Sequence, residues 1–83
     1  MIASQRVSQI MPLCCLGRNE KARIVELIGE CGCLHRLEEM GVRIGADICM
    51  LVQGKPCIVL LDGRRLSLRF DCEAEILVEP LYE

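Results

Sequence analysis

Cys31–Gly32–Cys33–Leu34–His35 is the densest run of chemistry-bearing side chains in this sequence. Two thiols and an imidazole so close together offer soft ligands of the kind zinc takes. The common structural zinc spacing is Cys-x2–4-Cys with a second pair farther along the chain. Only half of that pattern is present. Cys14 and Cys15 complete it only if the fold or a dimer brings them near. Reactive surface thiols and simple packing are the competing readings of the same residues. A nucleophilic Cys–His pair is excluded, because residues two apart on a helix do not face each other and His35 is the sole histidine. A phosphate loop is excluded too: Gly54–Lys55 is followed by Pro56, where serine or threonine is required. Without a catalytic constellation the chain reads as no enzyme by itself.

The second group of interest is basic. Eight of the ten positive charges are arginine, yet acidic residues number 12 and the formal net charge is -2. A general nucleic-acid binder is more basic than this, so direct nucleic-acid binding is not expected. Arg64, Arg65 and Arg69 lie close together, and Arg36 and Glu39 flank the glycines Gly41 and Gly45. Arginine makes bidentate contacts with carboxylates and phosphates and often anchors interfaces. Each group has a bland alternative, as a solvated strand face or as turn residues only. Asp71, Glu73 and Glu75 are near enough in sequence to neutralise the late arginines internally.

The elements that must position these side chains are short. With 83 residues the chain holds one domain, which buries only about 60–65% of its unfolded surface. Apolar residues are 52% but aromatic residues 2%, so Leu, Ile, Val, Met and Cys build the core and Phe70 and Tyr82 are the only rings. The seven cysteines, the absence of a leader-like apolar stretch and the lack of a long apolar run predict a reduced, cytoplasmic chain. Cys49, Cys57 and Cys72 read as small buried hydrophobes. Residues 1–10 read as a flexible lead-in and residues 11–83 as the domain. Lys21–Ile28, Ile48–Val52, Cys57–Leu61, the alternating Leu66–Leu68–Phe70 segment and Glu75–Glu79 predict strands. Asp62–Gly63 predicts a tight hairpin turn. Leu34, Leu37 and Met40 recur at helical spacing after Gly32, and Gly41 stands where a helix ends in the left-handed region. About five short strands without a long crossover predict a mainly β domain, a small antiparallel barrel with one short helix plugging it.

This pattern resembles the FeoA family, small cytosolic components of bacterial ferrous iron transport. The resemblance rests on Pro12–Leu13 and Gly17, on Ala22–Val25 and Gly29, and most strongly on Leu34–His35–Arg36–Leu37–Glu38–Glu39–Met40–Gly41–Val42 with Gly45 and Ile48. It resumes at Arg65–Leu66–Ser67–Leu68–Arg69, Ala74, Ile76 and Val78. The loop Gln53–Pro56 is shorter than usual in the family, and the cysteines at 14, 15, 31 and 33 are not part of its common pattern. The resemblance implies an SH3-like barrel and a non-enzymatic regulatory or assembly role, through contact with the cytosolic domain of a FeoB-like membrane permease. Such a protein would be cytoplasmic and associated with the inner membrane through its partner. On this reading Arg36, Glu39, Gly41, Arg65 and Arg69 are the expected partner-binding residues, and no cofactor is required. A stand-alone accessory domain of a metal-dependent repressor and a small zinc- or iron-binding protein using Cys31, Cys33 and His35 are the alternatives. The uninterrupted apolar runs at Ile48–Val52 and Cys57–Leu61 leave room for a homo-oligomer.

Overall fold

The computed structural model describes residues 9–69 and 74–81. The expectations placed on Phe70, Asp71, Cys72, Glu73 and Tyr82, and on most of the lead-in, lie outside the described residues. The elements run β1 (Met11–Pro12), a 3-10 turn (Leu13–Cys15), β2 (Lys21–Gly29), α1 (Cys31–Glu39), β3 (Asp47–Val52), β4 (Cys57–Leu61), β5 (Arg64–Leu68) and β6 (Ala74–Pro80). They form one antiparallel sheet of six strands in the order β1-β6-β2-β3-β4-β5.

Inward residues come from every second position of most strands. Ala22 and Ile24 of β2, Ile48 and Met50 of β3, Cys57, Val59 and Leu61 of β4, Leu68 of β5, and Ile76 and Val78 of β6 are all buried. The alternation follows from the strand period of two. Two strands break phase, each for a local reason. In β2 the register against β6 slips between Ile24 and Glu26, so Val25 is the extra residue of a bulge. Beyond it Leu27 faces the core three positions after Ile24, which is why this strand lacks a clean alternation in sequence. In β3 the register against β4 slips between Met50 and Val52, and Val52 is turned out at 47% exposure. A bulge inserts one residue on one strand only and resets the faces beyond it.

The expected closed barrel is corrected by the strand order. Among the described residues β1 and β5 are the two ends of the sheet and do not pair with each other. There are six strands rather than about five, because β1 is only two residues long and too short to show a period. Closure fails for a physical reason. β1 is only two residues long, and one of them is Pro12, a residue confined in sheets to edges, bulges and strand starts. The core is capped instead by non-strand residues: Leu13 and Leu16 around the 3-10 turn, and Val42 and Ala46 in the α1–β3 connection, all buried. Leu37 and Met40 of the helix region pack against the same cluster.

Helix α1 begins at Cys31, before Gly32 rather than after it. Its end is as the glycine implied. Gly41 sits at φ +98, its N–H donates to the Glu38 carbonyl at 2.9 Å, and the Val42 N–H donates to the Leu37 carbonyl at 2.9 Å. This pair of bonds is a Schellman cap, with Val42 as its apolar partner to Leu37. No residue of α1 is fully buried, and of its expected stripe only Leu37 and Met40 pack on the core, not Leu34. The helix therefore docks by its C-terminal half.

Candidate interaction surface

The cap of α1 faces the β4–β5 hairpin. The turn between those strands is Asp62–Gly63, with φ of 52 and 77. Positive φ at both positions makes the two-residue turn whose twist matches the flanking strands. It brings Arg64 back under the helix end. Arg64 Nη2 lies 3.5 Å from the Met40 carbonyl oxygen, and 3.1 Å from the point where a side chain on Gly41 would begin. Arg43 Nη1 donates to the Gly41 carbonyl at 3.2 Å and pairs with Asp62 Oδ2 at 3.0 Å. Two guanidinium groups thus attend the negative end of the helix, where cations are favoured.

Between α1 and β5 runs a groove of about 340 Å³, lined by Cys33, Arg36, Leu37, Met40, Ser67, Leu68 and Arg69. It brings together Arg36 and Arg69, residues 33 positions apart that the sequence placed in separate groups. Leu37, Met40 and Leu68 supply its apolar walls. Arg65 is exposed on the outer face of β5, in phase with Ser67, and Arg69 follows the end of the strand. Among the described residues the arginine salt bridges use Arg23 and Arg43, and none of Arg36, Arg64, Arg65 and Arg69 takes part in them. Glu39 is set apart from this group: it pairs with His35 at 3.3 Å, with both side chains well exposed. Gly41 contributes its backbone conformation and the space occupied by Arg64. Gly45, also at positive φ, serves the loop into β3, its N–H donating to the Ile24 carbonyl at 2.7 Å.

The expected metal set divides around the helix. Cys33 lines the α1–β5 groove, whereas Cys31 and His35 line a shallow depression with Gly32, Leu34 and Glu38. Residues two apart on a helix point in different directions. Among the described residues no group of three or more His, Cys, Asp or Glu side chains is placed to hold a metal ion. Cys14 and Cys15 lie in the 3-10 turn, both exposed. Cys14 lines a separate apolar groove of about 450 Å³ with Pro12, Leu13, Ile28, Lys55, Ala74, Glu75 and Ile76. Desolvation, and then the neighbouring Cys15, push the Cys14 thiol up from its ordinary value. Burial does the same to Cys57, which is 2% exposed. Cys49 is half-buried on the outer face of β3. Raised thiols are poor nucleophiles and poor metal ligands at neutral pH.

Residue type and spacing single out the arginines but not the groove between them. The clue was the Asp62–Gly63 turn, which sets the register of β5 against β4 and so which of its residues face outward.

The structure is a small, mainly β domain of six strands with a short docked helix and an arginine-rimmed groove beside its edge strand. The FeoA domain matches residues 11–80, and the chain belongs to the FeoA family, small non-catalytic proteins related to bacterial ferrous-iron transport; it is not an enzyme. It is similar to a crystal structure of an iron uptake regulatory protein (FeoA), at 26% identity and a TM-score of 0.79, over 88% of this chain and 99% of that one. It is likewise similar to the solution structure of a FeoA-like protein from Clostridium acetobutylicum, at 27% identity and a TM-score of 0.74, over 93% of each chain. No curated protein matches the chain in sequence. No helix among the described residues is long and apolar enough to cross a membrane.

Proposed function

We propose that this protein is a regulatory or assembly component of a ferrous iron permease, and that it acts by contact with the permease's cytosolic region through the α1–β5 groove. The observation that carries this reading is the convergence of Arg36 and Arg69 on one apolar-walled groove. Arginine on the rim of an apolar pocket can anchor a partner carboxylate while neighbouring side chains exclude water. Family membership favours the permease as the partner, since FeoA-type proteins generally partner with FeoB-like permeases. A similar structure is that of an iron uptake regulatory protein, which favours regulation over transport by the domain itself. Arg65 extends the surface along β5. Glu39 and Gly41 act indirectly, Glu39 through its pair with His35 and Gly41 by shaping the helix end.

The test is a quantitative pull-down from native membranes with tagged wild-type protein and Arg36→Glu. Arg36 is exposed and substitutions at such positions usually leave stability within about 0.5 kcal/mol. Enrichment of an iron permease by wild type, reduced at least tenfold in the folded variant, supports the reading. Equal enrichment by both removes the groove from it. Capture of a repressor in place of a permease overturns the transport role.

A further inference from the structure

We infer that the free edge of β5 receives an extended segment of the partner as an added strand, and that this segment alternates acidic with apolar side chains. The inference rests on the reading of the α1–β5 groove as the partner-contact surface and specifies how that contact is made.

The hairpin determines which backbone groups of β5 are already used. In a two-residue hairpin the residues flanking the turn form a hydrogen-bonded pair, and such pairs then alternate with non-bonded ones. Leu61 and Arg64 flank Asp62–Gly63, so Arg64, Leu66 and Leu68 exchange their bonds with Leu61, Val59 and Cys57. The backbone N–H and C=O groups of Arg65 and Ser67 therefore point the other way, toward the open side of the sheet. β5 ends the strand order, and no backbone hydrogen bond outside the ladder involves Arg65 or Ser67 among the described residues. An edge with such unused groups is a template for strand addition.

The side chains around that edge decide what can bind there. On one face an incoming strand meets Arg65 and Ser67, which share an outward phase, while Arg69, just past the strand, borders the groove with Arg36. Opposite charges across a pair are favourable and like charges unfavourable, so alternate residues of the segment are acidic. Its intervening residues turn toward the groove walls Leu37, Met40 and Leu68, with Arg36 and Arg69 at the rim, and are apolar. A second copy of this chain would present its own arginines to the same face, so self-pairing is opposed. Within the described residues, Arg36, Arg65 and Arg69 form no salt bridge that would compete for the partner's carboxylates.

The experiment titrates isotopically labelled full-length protein with a synthetic eight-residue peptide alternating glutamate and valine. Amide exchange at Arg65 and Ser67 is expected to slow at least tenfold at saturation, with Arg64, Leu66 and Leu68 unchanged because their amides are already bonded to β4. A peptide N-methylated at alternate residues, which keeps the side chains but loses the main-chain donors, should bind at least tenfold more weakly. Ser67→Pro, which deletes an edge donor not used in the ladder, should weaken binding as well, with the fold checked by the spectrum. Equal binding of the N-methylated peptide overturns strand addition. So does absence of peptide binding while permease capture still depends on Arg36; in that case the proposed function stands and only its mode is lost. Tighter binding of a single-stranded oligonucleotide at the same amides, or their protection by self-association without peptide, overturns it in favour of a phosphate partner or a second copy.

Discussion

At one end of the sheet β1 offers two residues, one of them Pro12, paired to Leu77 and Val78 of β6. At the other end β5 offers five residues in regular register with β4, and among the described residues its outward backbone groups at Arg65 and Ser67 take no hydrogen bond outside the ladder. The first edge is blunted by brevity and proline, two of the usual ways a protein prevents edge-to-edge association. The second is long enough to pair, and the exposed Arg65 on it places a charge that disfavours a like-charged strand and favours an acidic one. The grooves beside the two edges differ in the same sense. The one at β1 is mostly apolar and carries Cys14, a raised thiol, with Lys55 and Glu75 of opposite charge. Among the described residues, the one at β5 is lined by two arginines and no carboxylate. A sheet therefore need not be closed to be protected, and charge protects an edge selectively where proline protects it outright.

The sharpest way to break this comparison is to unseat the anchors of the two edges. Leu13 beside β1 and Leu68 in β5 are both buried in the common core. Leu13→Ala and Leu68→Ala should each cost about 2–5 kcal/mol in denaturant unfolding, showing that the open edge is held as firmly as the blunted one. A much smaller loss for Leu68→Ala would mean that β5 frays, and that its edge is no fixed template. Next in size is the helix cap that forms one wall of the β5 groove. Gly41→Ala forces a side chain into the left-handed region, costing about 1–2 kcal/mol, and meets Arg64 Nη2 at 3.1 Å. Gly32→Ala, with open space at its Cβ position, should instead stabilise the helix by about 0.5 kcal/mol. Thermal melts of the two variants should therefore move in opposite directions.

The smallest effect is pH dependence. Cys14 and Cys57 hold their protons in the folded state above the ordinary thiol value of 9.0. The unfolded chain then binds fewer protons than the folded one as pH rises past 9.0, so stability falls there. Below that range both states keep the thiols protonated, and these groups give no slope. Unfolding followed from about pH 7 to about pH 10.5 should show the decline, and Cys57→Ala should flatten part of it. An unchanged slope in the variant would remove Cys57 as a cause.

The chain's local signals were largely legible. β4 lies where its apolar run and flanking turns put it, and Asp62–Gly63 makes the expected hairpin. The helix ends at Gly41 because the left-handed cap is a property of a few adjacent residues. The phase breaks at Val25 and Leu51 were not legible, since a bulge is defined only against the opposite strand. The arginines of the site were visible one by one. Their division into a groove containing Arg36 and Arg69, and a separate His35–Glu39 pair, was not.

What the sequence by itself determined was therefore the family, the mainly β character, the short capped helix and the inventory of arginines and thiols. These depend on residue type and near-neighbour spacing. Only the tertiary structure decided that the sheet stays open, that Pro12 ends one side of it, and that Arg36 and Arg69 meet across a groove while Cys31 and Cys33 part. Those outcomes depend on strand order and on the seating of a helix too short to be stable alone. Both are set by which buried faces pack together, over separations along the chain that no local pattern encodes.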